Sequence, residues 1–288
     1  MRLQRALVAL VFLPTLMACA RAAPLPAKAV VLNRDGAAAL ASGDLEMAEA
    51  RVALALEYNP RFTEAWVNLG LIEMRRGNFE RAERDLIEAR DLNPDLPAPH
   101  HGLGLLCEYQ GSFEEAEMHY RAALKVDPGF APARINLGRR LFERGAFEES
   151  REHFLRLTQV APEFPEGWAG LGELLLRLDR MGEAQEVLAH ARQRLGSRPG
   201  LDLLEARILL RRNAFAAAEE RLEPLTRLTD RKEVATAFAW LSIARFGRGD
   251  GLGALAAAKQ ALLLDPQERV ARYALQAVRG GAPAAATK

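Results

Sequence analysis

With only two cysteines in 288 residues, and one of them, Cys19, close to the N-terminus, the chain has no material for a disulfide framework. It also lacks charge of one sign: 39 Lys and Arg stand against 38 Asp and Glu, so no basic field draws nucleic acid to it. The marks of common catalytic sites are missing as well. No glycine-rich loop ends in Gly-Lys-Ser/Thr, and neither His-Glu-x-x-His nor Gly-x-Ser-x-Gly occurs. Five histidines are present, His100, His101, His119, His153 and His190, and two of them are adjacent. Neighbours on a helix point about 100° apart, and no carboxylate or cysteine sits one turn from the pair on the same face, so a metal site is not expected. Gly102-Leu103-Gly104 has no strand before it and makes no phosphate loop. The reading is a chain without catalytic residues, metal or cofactor, and not an enzyme. Long apolar runs are absent too. The longest, Ala6 to Leu16, is broken by Pro14 and falls short of the roughly 20 residues a membrane-spanning helix needs.

What the sequence does have is a period. Gly36, Gly70, Gly104, Gly138 and Gly172 stand 34 residues apart, as do Pro60, Pro94, Pro128 and Pro162, and again Gly43, Gly77, Gly111 and Gly145. A repeat of this length implies a stack of small units, each covering its apolar face with its neighbours. Numbered 1 to 34, the units run 29–62, 63–96, 97–130, 131–164, 165–198, 199–232 and, after a slip of two residues, 235–268. Position 20 is always small (Ala48, Ala82, Ala116, Ser150, Ala184, Ala218, Ala254), as expected where two helices cross closely. Positions 4, 7, 11 and 24 supply bulk, among them Trp66, Leu69, Tyr120, Leu137, Phe154, Trp168 and Leu171, to fill the gaps that small residues open. Position 15 is mostly Gly, suited to the positive φ of a tight turn. Asp44, Asn78 or Ser112 then follows as N-cap, with Ser112 and Glu115 spaced as a capping box. Proline at position 32 ends the second helix.

Other features fall into place around this period. Cys107, at position 11, reads as a buried and inert thiol. Interleaved charges such as Glu80-Arg81-Ala82-Glu83-Arg84-Asp85 read as a solvated outer face. Residues 269–279 put Val270, Ala274 and Val278 on one face and suit a helix capping the stack, while 280–288 has nothing to pack and reads as a disordered tail.

Trp66-x-x-Leu69-Gly70, Ala82, Ala89 and Pro94 together resemble the tetratricopeptide repeat (TPR), and the resemblance extends over about 240 of the 288 residues. It implies an all-α fold: a right-handed superhelical solenoid of antiparallel helix pairs, about seven units plus the C-terminal cap. In that family positions 2, 5, 6, 9, 12 and 13 of the first helices line a concave groove that binds a segment of a protein partner. Carried over residue by residue, the groove is Val67, Asn68, Leu71, Met74 and Arg75 in unit two, and His101, Leu105, Glu108 and Tyr109 in unit three. Unit four adds Ile135, Asn136, Arg139 and Phe142, and unit five Glu173, Leu176 and Arg177. Asn68 and Asn136 are expected to bond the backbone of an extended peptide, and Tyr109 and Phe142 to stand exposed. Leu71, Leu105 and Leu176 suit packing between first helices as well as they suit the groove. The carboxylate clamp of co-chaperone repeats is not assembled, because Val67, Leu71, Ala98 and Gly102 stand where that pattern needs Lys or Asn.

The first 18 residues have the anatomy of an export signal, with Arg2 and Arg5 before an apolar run and small residues after it. Leu16-Met17-Ala18-Cys19 resembles a bacterial lipobox, which would make Cys19 a lipidated first residue and 19–28 a flexible tether. By the same resemblance Ala20 directs the protein to the outer membrane, facing the periplasm. Ala18-Cys19-Ala20 also suits ordinary cleavage, which leaves a soluble periplasmic protein as the alternative. The helical array with its lipobox is similar to pilotin-type lipoproteins that help type IV pilus secretins assemble. The expected protein is therefore a scaffold holding an envelope or secretin-like partner and touching the membrane through its lipid alone. The other reading is an adaptor or regulatory subunit docking a cell-wall or polysaccharide enzyme.

Overall fold

The computed structural model describes residues 26–280, and among these the secondary structure is all α. The first pairs are α1 (Ala27–Ser42) with α2 (Leu45–Tyr58), α3 (Thr63–Arg76) with α4 (Phe79–Leu92), and α5 (Pro97–Gln110) with α6 (Phe113–Val126). Next come α7 (Ala131–Arg144) with α8 (Phe147–Val160), α9 (Pro165–Arg177) with α10 (Met181–Leu195), and α11 (Pro199–Arg211) with α12 (Phe215–Leu222). After a 3₁₀ turn at Pro224–Arg227, α13 (Arg231–Gly247) pairs with α14 (Gly251–Leu264), and α15 (Arg269–Gly280) packs on both. Each helix packs on the next in sequence, so the fold is a solenoid of seven helix pairs closed by a final helix.

The 34-residue markers act as the period implies. Gly43, Gly77, Gly111 and Gly145 all take φ between +81° and +88°, and each closes its first helix. Asp179 and Asn213 carry the same left-handed turn without glycine in units five and six. The glycines at position 8 allow close approach: a Cβ on Gly70 would lie 2.7 Å from Leu86, and one on Gly104 would lie 2.5 Å from the Tyr120 ring. In the first four units this glycine faces the large residue at position 24 of its own second helix, as Gly36 faces Val52 and Gly138 faces Phe154, whereas Gly172 faces Leu204 of the next unit. Position 4 stitches units together. Trp66 Nε1 donates to the Pro60 carbonyl (2.8 Å), Trp168 Nε1 to that of Pro162 (2.9 Å), and Arg134 to that of Pro128.

Capping differs from the expectation in two units. Asp44 accepts from Met47 N as an N-cap should, at 3.0 Å. Ser112 makes no side-chain cap bond, so the capping box with Glu115 is not formed. Asn78 does not cap α4 either; its Nδ2 donates to Glu73 Oε2 (2.7 Å), a buried carboxylate that Arg81 also approaches at 3.3 Å. The tether boundary also moves: α1 begins at Ala27 with Ala29 fully buried, so residues 27 and 28 are helical. The leader, Cys19 and the tail beyond Gly280 lie outside the described residues.

Ser150, the one polar residue at position 20, is buried and its Oγ donates to the Gly138 carbonyl at 2.8 Å. That carbonyl keeps its place in the helix ladder, and the other units hold alanine there. Ser150→Ala is therefore expected to lower stability by only about 0.5–1.5 kcal/mol in urea denaturation, the net worth of one hydrogen bond.

Candidate functional site: the inner face of the first helices

First helices touch the first helices of neighbouring units, as α1 does α3, α3 does α5, α7 does α9 and α9 does α11, whereas second helices of successive units stand apart. The closer row lies on the inside of the curve, so the first helices form the concave wall. Helices α5 and α7 approach least among these neighbours, and long polar side chains span the gap between them.

Three expected groove residues are core instead. Val67 and Met74 are buried with Leu86 and Leu103 between units two and three, and Leu176 is only 2% exposed in the core of unit five. At their registers the side chain leans under the neighbouring first helix, and burial of an aliphatic group favours that position. Leu71 and Leu105 are half-buried against the cluster of Val67 and Met74, and Ile135 is half-buried against Ala131, Leu157 and Ala161.

The asparagines are also committed elsewhere. Asn68 Nδ2 donates to Asn33 Oδ1 at 2.8 Å, and Asn136 Nδ2 lies 2.9 Å from His101 Nε2. Both pairs join position 6 of one unit to position 5 of the unit before, so the amide donors tie the array together rather than reaching for a peptide. The His101 ring lies 5.8 Å from that of Tyr120 and 5.7 Å from that of Phe130, and burial pushes its pKa down to about 4. It is a neutral imidazole at pH 7 that accepts from Asn136. Asn33, unremarked in the sequence, was legible only as the polar residue at position 5 of unit one.

Charged groups form the next layer. Glu108 accepts from Arg139 at 2.6 Å and lies 3.7 Å from Arg140, and Arg139 also reaches Glu143 at 3.4 Å. Glu173 pairs with Arg207, whose guanidinium stacks 4.4 Å over Trp240. What faces solvent is position 13: Arg75, Tyr109, Glu143 and Arg177 are exposed in four successive units, Tyr109 by 60%. Phe142, expected to be exposed, is half-buried against Phe147 at 5.8 Å. Tyr109 lies 6.4 Å from Phe79, and Arg140 covers the exposed Phe113 ring at 3.9 Å. The aromatics at 79, 113 and 147 share position 17, so they too recur every 34 residues.

No three His, Cys, Asp or Glu side chains gather to hold a metal among the described residues, and no described helix is long and apolar enough to cross a membrane. His100 does meet His119 from the next helix, at 6.3 Å, and burial lowers the pKa of both. Cys107 is half-buried. Desolvation, then Glu115 and Glu83, push its thiol pKa up, so the reactive thiolate is disfavoured.

The fold and its inner wall define a helical-repeat interaction scaffold. Tetratricopeptide-repeat models match residues 62–129 and 109–174, so tetratricopeptide repeats make up the centre of the chain. Tetratricopeptide-repeat proteins bind protein partners and are typically non-catalytic. In sequence, no curated protein matches it. Its fold is similar to pilF of Pseudomonas aeruginosa (22% identity, TM-score 0.58, covering 76% of this chain and 97% of that one). It is also similar to a tetratricopeptide repeat protein from Parabacteroides merdae (16%, TM-score 0.63, covering 88% and 99%). A chain of the APC/C Cut9–Hcn1 hetero-tetramer matches as well, at 14% identity and TM-score 0.68, with 84% of this chain spanning 48% of that one. At these identities the likeness is one of fold.

Proposed function

We propose that this protein is a non-catalytic scaffold of a bacterial envelope. It is held to the outer membrane by a lipid on Cys19, and its concave face captures a segment of a partner during assembly of an envelope machine of the type IV pilus secretin kind. The observation that carries the capture is the solvent-facing row Arg75, Tyr109, Glu143 and Arg177, an aromatic among charges of both signs. An exposed aromatic flanked by charge is the composition of binding hot spots. The lipobox-like Leu16-Met17-Ala18-Cys19 supports the anchor, and the fold likeness to pilF, which covers 97% of that chain, supports the machine.

Two measurements test this. Proteins co-purifying from solubilised envelope are quantified for the wild type, for Arg75→Glu with Tyr109→Ala on the inner wall, and for Met118→Glu, which lies 63% exposed on the second helix of unit three. Capture is expected to fall at least tenfold, about 1.4 kcal/mol, for the inner pair alone. Loss confined to Met118→Glu would instead favour docking of an enzyme on the convex face. Separately, Cys19→Ser is expected to move the protein out of the membrane fraction, and unchanged fractionation removes the anchor.

A further inference from the structure

The repeat breaks once, and a cavity sits at the break. Helix α12 stops at Leu222, eight residues long where other second helices run fourteen or fifteen, and the 3₁₀ turn Pro224–Arg227 replaces its last turns. Helix α13 starts early, at Arg231, four residues ahead of its unit. Between α11 and α13 this leaves a cavity of about 280 Å³, ample for one large apolar side chain. Leu203, Leu225, Leu228 and Ala237 make its floor and walls, and Gly200 leaves its mouth open. Leu203 and Gly200 hold positions 5 and 2 of α11, so the mouth opens on the concave wall.

The rim is acidic. Asp230 and Glu233 line it against one cation, Lys232, while the neighbouring Arg231 is turned away to the Leu264 carbonyl at 2.9 Å. Glu268 stands behind Thr236 at 3.3 Å. Partial burial, then Asp230, then Glu166 of α9, push the Glu233 pKa up. An anion has no purchase on the start of α13, because Asp230 Oδ1 already accepts from Lys232 N and Glu233 N at 2.9 and 2.8 Å.

We infer that this cavity is an anchor pocket, taking a large apolar side chain of the partner segment with a Lys or Arg within two residues of it. The apolar floor gains by burying the side chain, and the basic neighbour compensates the Asp230 and Glu233 carboxylates at the rim. This rests on the capture role proposed above and specifies the chemistry of what is captured.

The test selects dodecapeptides from a random phage-displayed library on the full chain and measures the synthesised peptides by fluorescence polarisation. Enriched sequences are expected to pair a bulky apolar residue with Lys or Arg. Gly200→Trp, which fills the mouth, and Glu233→Lys, which reverses the rim, should each weaken binding at least tenfold. A Cβ at Gly200 meets only Ala169, at 3.5 Å, so the filled variant is expected to melt like the wild type. Enrichment of acidic or uncharged sequences, or undiminished binding to Gly200→Trp, overturns the pocket. The wall variant Arg75→Glu with Tyr109→Ala separates the two readings. Peptides lost by Gly200→Trp but kept by the wall variant support the pocket even if the wall captures nothing, and the reverse pattern overturns the pocket alone.

Discussion

Tyr120→Ala is expected to destabilise the protein by about 3–5 kcal/mol, the range for deleting a large buried aromatic side chain. Tyr120 is wholly buried in unit three, where it packs with Leu137 and Leu141 of the next unit, and Gly104 leaves its ring room. The surroundings are helices held on both sides by neighbouring units and cannot collapse onto the void. In a stack of nearest-neighbour contacts the damage stays local, so hydrogen exchange should show protection lost in α5 to α8 and retained in α1, α2, α13 and α14. The pair can also be tested as a pair. Gly104→Ala alone forces a methyl against the ring and should cost about 1–3 kcal/mol. In the Tyr120→Ala background the same methyl enters empty space and should cost little. Additive losses would show that the glycine is there for a reason other than its aromatic neighbour.

The second large effect is a gain. Asp85 is only 8% exposed on α4, and its Oδ2 has no hydrogen-bond partner among the described residues. Burial raises its pKa from 3.8 to about 6; Arg81 offsets part of this, Glu73 adds to it and Arg84 opposes it. The raised value means that the folded protein holds this proton more tightly than the unfolded chain. Any stability that confers is present below pH 4 and is lost as pH rises through about 6, leaving a charged carboxylate without its hydration at pH 7. Asp85→Asn removes the ionisation while keeping the shape, and should stabilise the protein by about 1–3 kcal/mol at pH 7 and by much less at pH 4. Urea denaturation of both proteins across that range checks it. A stability difference that does not change with pH would sink the explanation.

Much of the architecture was legible from residue types at a fixed interval. Glycine at position 15, small residues at positions 8 and 20, and bulk at position 24 are local demands of a turn and of a close helix crossing, and each unit repeats them. The site was legible only in part. The residues expected on the inner wall were assigned by position, yet Val67, Met74 and Leu176 went into the core, and Asn68 and Asn136 were taken up by Asn33 and His101. Position says which side of a helix a residue occupies, but not how far the neighbouring helix leans over it. Where α5 and α7 stand apart, the gap is filled by Asn136, Arg139 and Glu108, whose partners lie more than thirty residues away in sequence.

By itself, then, the sequence determined the unit, its helices, its turns and the order of stacking, because these depend on backbone conformation and on side-chain size within one repeat. Only the tertiary structure decided which inner-wall groups remain available, how Glu108 is shared between two arginines, and that the break at units six and seven opens a cavity. Those outcomes depend on the spacing between units. That spacing is set by the packing of every side chain at each interface, and it differs from one interface to the next while the period stays the same.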